Sequence, residues 1–285
     1  MWLWLFAALA LFFGYSIYLE PRWFAVRRVR IQTKKKILRS FTILHLSDVH
    51  FSGKGSSKEK FLRETTASLK PDFILITGDI IDCDSGIESA VAVLGNLKAR
   101  AGKFAIFGNH DYYDYHFTDN FKYHLKGVKV SSRLNDIKRF REKLEAAGIR
   151  VLVNQNERLL LDGMPFVVAG TDDPVTHEVS FEKTLAGIRK DSFNILLTHV
   201  LDSVVRMPDA GIDLVLAGHT HGGQFRIPGL GGFVYGFKLP RRYLDGVHEL
   251  RGMITCGSRG VGASRTLAIR FFCRPEAILL EVHPS

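Results

Sequence analysis

Six short apolar runs, most of them stopping at a turn residue, limit what this chain can fold into more than any other feature. They are Phe41–Leu46, Phe73–Thr77, Phe104–Phe107, Phe166–Ala169, Ile195–Thr198 and Leu214–Ala217. Uninterrupted apolar segments of this length, bounded by turns, predict strands covered on both faces. Helix-like stretches lie between them at Lys58–Leu69, Gly86–Ala101 and Asp136–Ala147, the last closed by Gly148 as a C-cap. Strands alternating with helices predict an α/β sandwich. At 285 residues the chain can bury a substantial core without staples. Cys83, Cys256 and Cys273 are scattered and fit reduced thiols better than a disulfide framework.

The residues that follow these runs carry the chemistry. Asp48-Val49-His50 puts a carboxylate and an imidazole on one side of an extended segment. Asp79 follows the second run, Asn109-His110-Asp111 the third, His199 a later one and His219-Thr220-His221 the next. Four imidazoles, two aspartates and a carboxamide make a mixed N/O donor set without thiolate. Such a set suits Mn²⁺, Fe or Zn²⁺ and argues against a structural zinc site. Gly78, Gly108 and Gly218 precede ligands and would allow a tight turn at each strand exit. His45 reads as a packed core residue, and His116, His124, His177, His248 and His283 as surface or supporting positions. Asp82 and Asp84 read as loop acids and Asp172-Asp173-Pro174 as a turn that could line a cleft.

The ordered blocks Asp48-x-His50, Gly78-Asp79, Gly108-Asn109-His110-Asp111, Thr198-His199 and Gly218-His219-Thr220-His221 resemble those of the calcineurin-like metallophosphoesterases. The resemblance runs from about Phe41 to Val282 and implies a four-layer αββα sandwich with two divalent cations at one sheet edge. One cation would be held by Asp48, His50, the bridging Asp79 and His221; the other by Asp79, Asn109, His199 and His219. His110 would be the non-ligand catalytic histidine at the leaving oxygen, oriented by Asp111. Mn²⁺ is the leading metal, with Fe or Zn²⁺ as alternatives. Such sites hydrolyse phosphoesters without a covalent intermediate. Val200-Leu201 departs from the family, which often has a proline after this histidine.

The segments Gly218-His219-Thr220-His221-Gly222-Gly223-Gln224 and Ser258-Arg259-Gly260 with Arg270-Phe271-Phe272-Cys273-Arg274-Pro275-Glu276 resemble the membrane-associated bacterial YaeI/YkuE-type branch. That branch includes UDP-2,3-diacylglucosamine pyrophosphatases of lipid A synthesis, and the resemblance implies a membrane lipid substrate. The N-terminus agrees with it. Met1–Leu19 carries no charge and as a helix would reach roughly 28 Å, about one hydrocarbon core. There is no positive residue before the run and no good cleavage site after it, so an anchor is expected over a signal peptide.

Of the net +10, residues 1–45 hold eight Lys/Arg against Glu20, or +7, leaving +3 for the rest. We therefore expect residues 1–20 as the transmembrane anchor, 21–40 as a basic juxtamembrane collar on an anionic surface, and 41–285 as the catalytic domain. The positive cluster after the helix places that domain on the cytoplasmic side of the inner membrane. Nucleic acid is not an expected partner, because the catalytic part shows no basic stripe.

Two aromatic segments interrupt the strand rhythm directly after ligand blocks: the insert 112–134 and Gln224–Leu244. Tyr112, Tyr113, Phe117, Phe121, Arg241 and Arg242 are the expected substrate contacts. The alternatives are a general phosphodiesterase acting on nucleotides or cell-wall precursors, and a non-catalytic scaffold. A scaffold would be expected to have lost ligands, and every block here is complete.

Overall fold

The computed structural model describes residues 2–35, 37–53, 56–116, 133–234, 236–266 and 268–285. In chain order the strands are β1 (Ala25–Thr33), β2 (Phe41–Leu46), β3 (Phe73–Thr77), β4 (Gly102–Ile106), β5 (Arg150–Val151), β6 (Gln155–Leu161) and β7 (Met164–Gly170). They continue as β8 (Phe193–Leu197), β9 (Leu214–Ala217), β10 (Arg226–Ile227), β11 (Gly231–Gly232), β12 (Gly246–Leu250), β13 (Met253–Gly257) and β14 (Glu276–Pro284). One six-stranded sheet runs β1-β14-β2-β3-β4-β5 and a second β12-β13-β9-β8-β7-β6. Strands β2 to β5 are parallel to one another, as are β7, β8, β9 and β13. Every strand that precedes a ligand block therefore ends at the same side of its sheet.

Alternation along each strand explains the layering. On β2 and β3, Phe41, Ile43, Phe73 and Leu75 point between the sheets and meet Phe166, Val168, Phe193 and Ile195 from the other sheet. Their neighbours Leu44, Leu46, Ile74 and Ile76 face outward onto a second cluster with Leu62, Val93, Phe140 and Leu144, which come from the helices Ser57–Leu69, Ile87–Leu94 and Ile137–Ala146. Both faces of the sheet are thus dry, which is why the runs show no polar alternation. Edge-to-face contacts of Phe41 with Phe166 and Phe193, at 4.9 and 5.1 Å, lock the two sheets in register.

The structure is a four-layer sandwich, as expected. Two boundaries differ. The helix expected over Gly86–Ala101 ends at Leu94, capped by Gly95, a poor helix former whose N–H still donates to the Val91 carbonyl. More consequentially, the stretch expected as a free basic collar contains β1, which pairs in parallel with β14 along its whole length. Arg27 reaches Glu276 at 3.1 Å, and Arg28 and Arg30 reach Glu281 at 3.3 and 3.0 Å. Lys35 lies 3.6 Å from Asp213. The folded unit begins before Phe41, and acids of the domain itself meet much of the cluster's charge. An outward row of arginines also suits an edge strand, which is protected from pairing with other chains by charge.

Before β1, Trp2–Arg22 is one continuous helix, long and apolar enough to cross a membrane, with a mean hydropathy of 1.8. Trp2 through Leu11 stand clear of the domain, whereas Ser16 and Glu20 are buried against it.

Candidate metal centre

The ends of β2, β3, β4, β8 and β9 converge on one cluster. Backbone bonds fix the first exits together: Asp48 N–H donates to the Gly78 carbonyl at 3.0 Å, and His50 N–H to the Asp79 carbonyl at 3.0 Å. Asp48, His50, Asp79, His219 and His221 all have φ between 48° and 68°, a left-handed conformation uncommon in non-glycine residues. Such strain concentrates where a site dictates the backbone.

The glycines serve two different needs. Gly78 has φ +87°, and a Cβ there would lie 2.6 Å from Gly108 N and 2.7 Å from His199 Nδ1. Gly108 has an ordinary φ of −111°. Its requirement is space, since a Cβ would sit 2.4 Å from Asp79 Oδ1.

Six of the seven expected ligands fall into two groups of ligand atoms, Asp48/His50/His221 and Asp79/His199/His219, each within 4.8 Å of one another, and a third group, His50/Asp79/His110, overlaps both. His50 Nε2 lies 3.3 Å from His221 Nε2 and 3.8 Å from Asp79 Oδ2. His199 Nε2 lies 3.2 Å from His219 Nδ1 and 3.3 Å from Asp79 Oδ1. The two oxygens of Asp79 therefore face different groups. Asn109 completes the set: its Oδ1 is buried with no donor among the described residues. A buried carboxamide oxygen left without a partner is costly, and a cation answers it. The donor set fits a pair of divalent ions.

Burial and close charges shift the groups in opposite senses: burial would lower His199, but Asp79 holds it well above its ordinary value. Burial lifts Asp79, yet His199, His110 and His50 together hold its carboxyl well below the usual range. Burial raises Asp48 against the pull of His199. Burial pushes His219 down to about 3 and His221 well below its ordinary value, with help from neighbouring imidazoles. Neutral rings are the form that binds metals.

The support beneath this cluster differs from expectation. Asp111 does not touch His110: its carboxylate accepts from the backbone of Ile80, Ile81 and Gly108 at 2.8, 2.9 and 2.8 Å. It staples two strand-end loops together. The acid beside His110 is Asp82, read from the sequence as a loop acid. Its Oδ1 lies 2.8 Å from His50 Nδ1 and 3.2 Å from His110 Nδ1, and its Oδ2 accepts from Arg265 N–H at 2.9 Å. Burial would raise Asp82, but His50 and His110 hold it far below the carboxylate range.

A second line of support runs from His45 to Thr77 at 2.9 Å, to Ser47 at 2.7 Å, and on to Asp48 Oδ2 at 2.6 Å. His45 is fully buried, as expected, and it also ends this relay.

Of the expected substrate contacts, Tyr112 donates to Asp172 at 2.6 Å and stacks on His177 at 3.8 Å, so it braces the loop. Tyr113 pairs with Leu134. Tyr115, outside the expected contacts, packs its ring 4.7 Å from that of His110. Arg241 and Arg242 are exposed with guanidinium groups over Phe233 and Tyr243. Phe117 and Phe121 lie outside the described residues.

A family model for calcineurin-like phosphoesterases matches residues 41–223, which span β2 through both ligand groups. The chain belongs to that family. Among curated relatives of this phosphoesterase, phosphodiesterase YaeI of Escherichia coli K12 is 33% identical over 280 residues, covering 95% of this chain and 92% of its own. The metallophosphoesterase YkuE of Bacillus subtilis 168 is 30% identical, covering 93% of this chain and 87% of its own. A bovine transmembrane protein with a metallophosphoesterase domain is 29% identical over 66% of this chain and 41% of its own length. The chain is therefore a metallophosphoesterase of the YaeI/YkuE branch, a hydrolase whose Asp and His groups fit a dinuclear divalent-metal site.

Proposed function

We propose that this phosphoesterase cleaves a phosphoanhydride or phosphodiester in a membrane lipid, with UDP-2,3-diacylglucosamine as the leading substrate, released as UMP and 2,3-diacylglucosamine 1-phosphate. It would work on the cytoplasmic side of the inner membrane, anchored by Trp2–Arg22. One cation, Mn²⁺ in this reading, would be held by Asp48, His50, Asp79 and His221, and the other by Asp79, Asn109, His199 and His219. When bound, such a pair polarises the phosphoryl oxygens and activates a water for in-line attack. Asp82 lies against the His110 ring, 3.2 Å from its Nδ1, and would orient it. The ring then presents its Nε2 where a leaving oxygen can take a proton or share a hydrogen bond.

The observation that carries the lipid reading is the short path from anchor to site. Arg270 N–H donates to the Ser16 carbonyl at 2.9 Å, and Phe272 N–H to Glu20 at 2.9 Å. The guanidinium of the same Arg270 lies 3.3 Å from His221 Nδ1. A helix built to reach lipid thus docks one residue away from a ligand of the site. Acyl chains add about 0.8 kcal/mol of binding per buried CH₂.

The test follows UMP release from UDP-2,3-diacylglucosamine and from UDP-N-acetylglucosamine in equal detergent. Much faster cleavage of the diacylated nucleotide is expected. Equal rates would replace the lipid reading with a general nucleotide phosphodiesterase.

A further inference from the structure

Beside the anchor helix lies an apolar patch that the catalytic reading does not use. It is built on the hairpin of β10 and β11 and on the Phe271-Phe272 turn. Phe225, Ile227, Leu230, Phe233 and Phe272 are all exposed, Leu230 at 60% and Phe272 at 54%. Scattered exposed apolar residues need no explanation, but a contiguous group marks an interaction surface.

The rings of Phe225, Phe271 and Phe272 are tied to one another and to the anchor. Phe225 stacks on Phe271 at 5.0 Å, and Phe12 of the anchor meets Phe271 at 5.0 Å and Phe225 at 6.2 Å. Backbone bonds Arg226 N–H to the Phe271 carbonyl (2.8 Å) and Phe271 N–H to the Gln224 carbonyl (3.0 Å) hold hairpin and turn as one piece.

The level of this contact on the helix decides what the patch faces. Phe12 lies ten residues before Arg22, roughly 15 Å along a helix. If the helix crosses a bilayer with its Arg22 end at the headgroups, Phe12 sits inside the near leaflet, and so must the aromatic cluster packed on it. The Arg22 end has the chemistry of that boundary. Trp23 is exposed under the Arg274 guanidinium at 4.0 Å, and Arg22 lies over Tyr18 at 5.7 Å. Tryptophan, tyrosine and arginine gather at membrane interfaces, where an apolar ring and a charged head are both satisfied.

We infer that the hairpin Phe225–Phe233 with Phe271-Phe272 is a second membrane element, seated in the acyl region of the near leaflet beside the anchor. The occupant of the patch is lipid. This rests on the anchor being embedded in a bilayer. The hairpin leaves the ligand loop His221–Gly223 at Gln224, so the metal centre opens at the level of the lipid headgroups. A phosphate on a lipid can then enter sideways from the leaflet without leaving it.

The test places a nitroxide on the full chain. Leu230→Cys carries the label, and Lys190→Cys, exposed just before β8 at the end of the sheet remote from His199, serves as the control. The native cysteines are all buried. The labelled chains are reconstituted in phosphatidylglycerol/phosphatidylcholine vesicles and pelleted. Relaxation by oxygen is then compared with relaxation by a water-soluble nickel chelate. The label at 230 should be relaxed mainly by oxygen, as at acyl depth, and the label at 190 mainly by nickel.

Nickel access at 230 equal to that at 190, on pelleted protein, would overturn the proposal and leave the anchor standing. Dipolar broadening between labels at 230, without oxygen preference, would assign the patch to a second copy of the chain and overturn it as well. A chain that stays in the supernatant would remove the anchor reading and this proposal together.

Discussion

At the scale of single residues, Asp82 holds two imidazoles with one carboxylate. Its Oδ1 accepts from a ligand ring, His50, and lies 3.2 Å from Nδ1 of the ring expected to meet the leaving group, His110. Removing the charge while keeping the shape should loosen both. Asp82→Asn should lower diester turnover by about 10- to 100-fold, as loss of a partner behind a metal-bound histidine does. Metal analysis of the same protein separates lost affinity from lost catalysis. His110→Ala should instead retain both metals and lose turnover by about 10²–10⁴-fold.

His45 gives a pH prediction of a different kind. Burial, with the charge of Arg27, lowers its pKa from 6.5 to about 3. Between those values the unfolded ring binds a proton that the folded ring refuses. Stability therefore falls as the pH drops below about 6.5, by up to about 1.4 kcal/mol per pH unit from this group. His45→Gln, measured by denaturant unfolding from pH 7 to 4, should show a shallower slope than the parent chain. Identical slopes would mean that the ring is not buried neutral.

At the scale of elements, the anchor is held by a charge in an unusual place. Glu20 is fully buried and its carboxylate accepts from the backbone N–H groups of both Phe272 and Cys273. Hydrogen bonds to a charged group contribute about 1.5–3 kcal/mol each. Glu20→Ala should therefore speed amide exchange at Phe272 and Cys273 while leaving exchange in β2 and β3 unchanged. Unaltered protection at 272 and 273 would show that the anchor does not brace that turn.

This scale also shows what the sequence could convey. Each ligand lies within four residues of its strand's end, so an apolar run and the residues just after it reveal both at once. β1 was hidden because its partners are distant: Arg27 and Arg28 lie opposite Ile278 and Leu279, and without them Arg-Arg-Val-Arg reads as a membrane-surface cluster. Asp82 was hidden because its role depends on where β4 brings His110. Asp111 misled for the converse reason, since adjacency to His110 says nothing about which way the carboxylate turns. The exposed hairpin at Phe225–Phe233 was visible as an aromatic loop, but its place beside Phe12 was not.

For the whole molecule, the two sheets, the ligand groups and the anchor share one end of the sandwich. Strand ends deliver the carboxylates and imidazoles, and the turn at Arg270–Cys273 joins them to the N-terminal helix. The central claim is that these residues form a two-metal hydrolytic centre bridged by Asp79. The direct measurement is metal content together with diester hydrolysis, on the stripped full chain titrated with Mn²⁺. Two ions per chain should bind, and activity should rise with occupancy, while Asp79→Ala should lose most of both. A chain that hydrolyses phosphodiesters equally well after stripping, or an Asp79→Ala variant with full activity, would contradict the account.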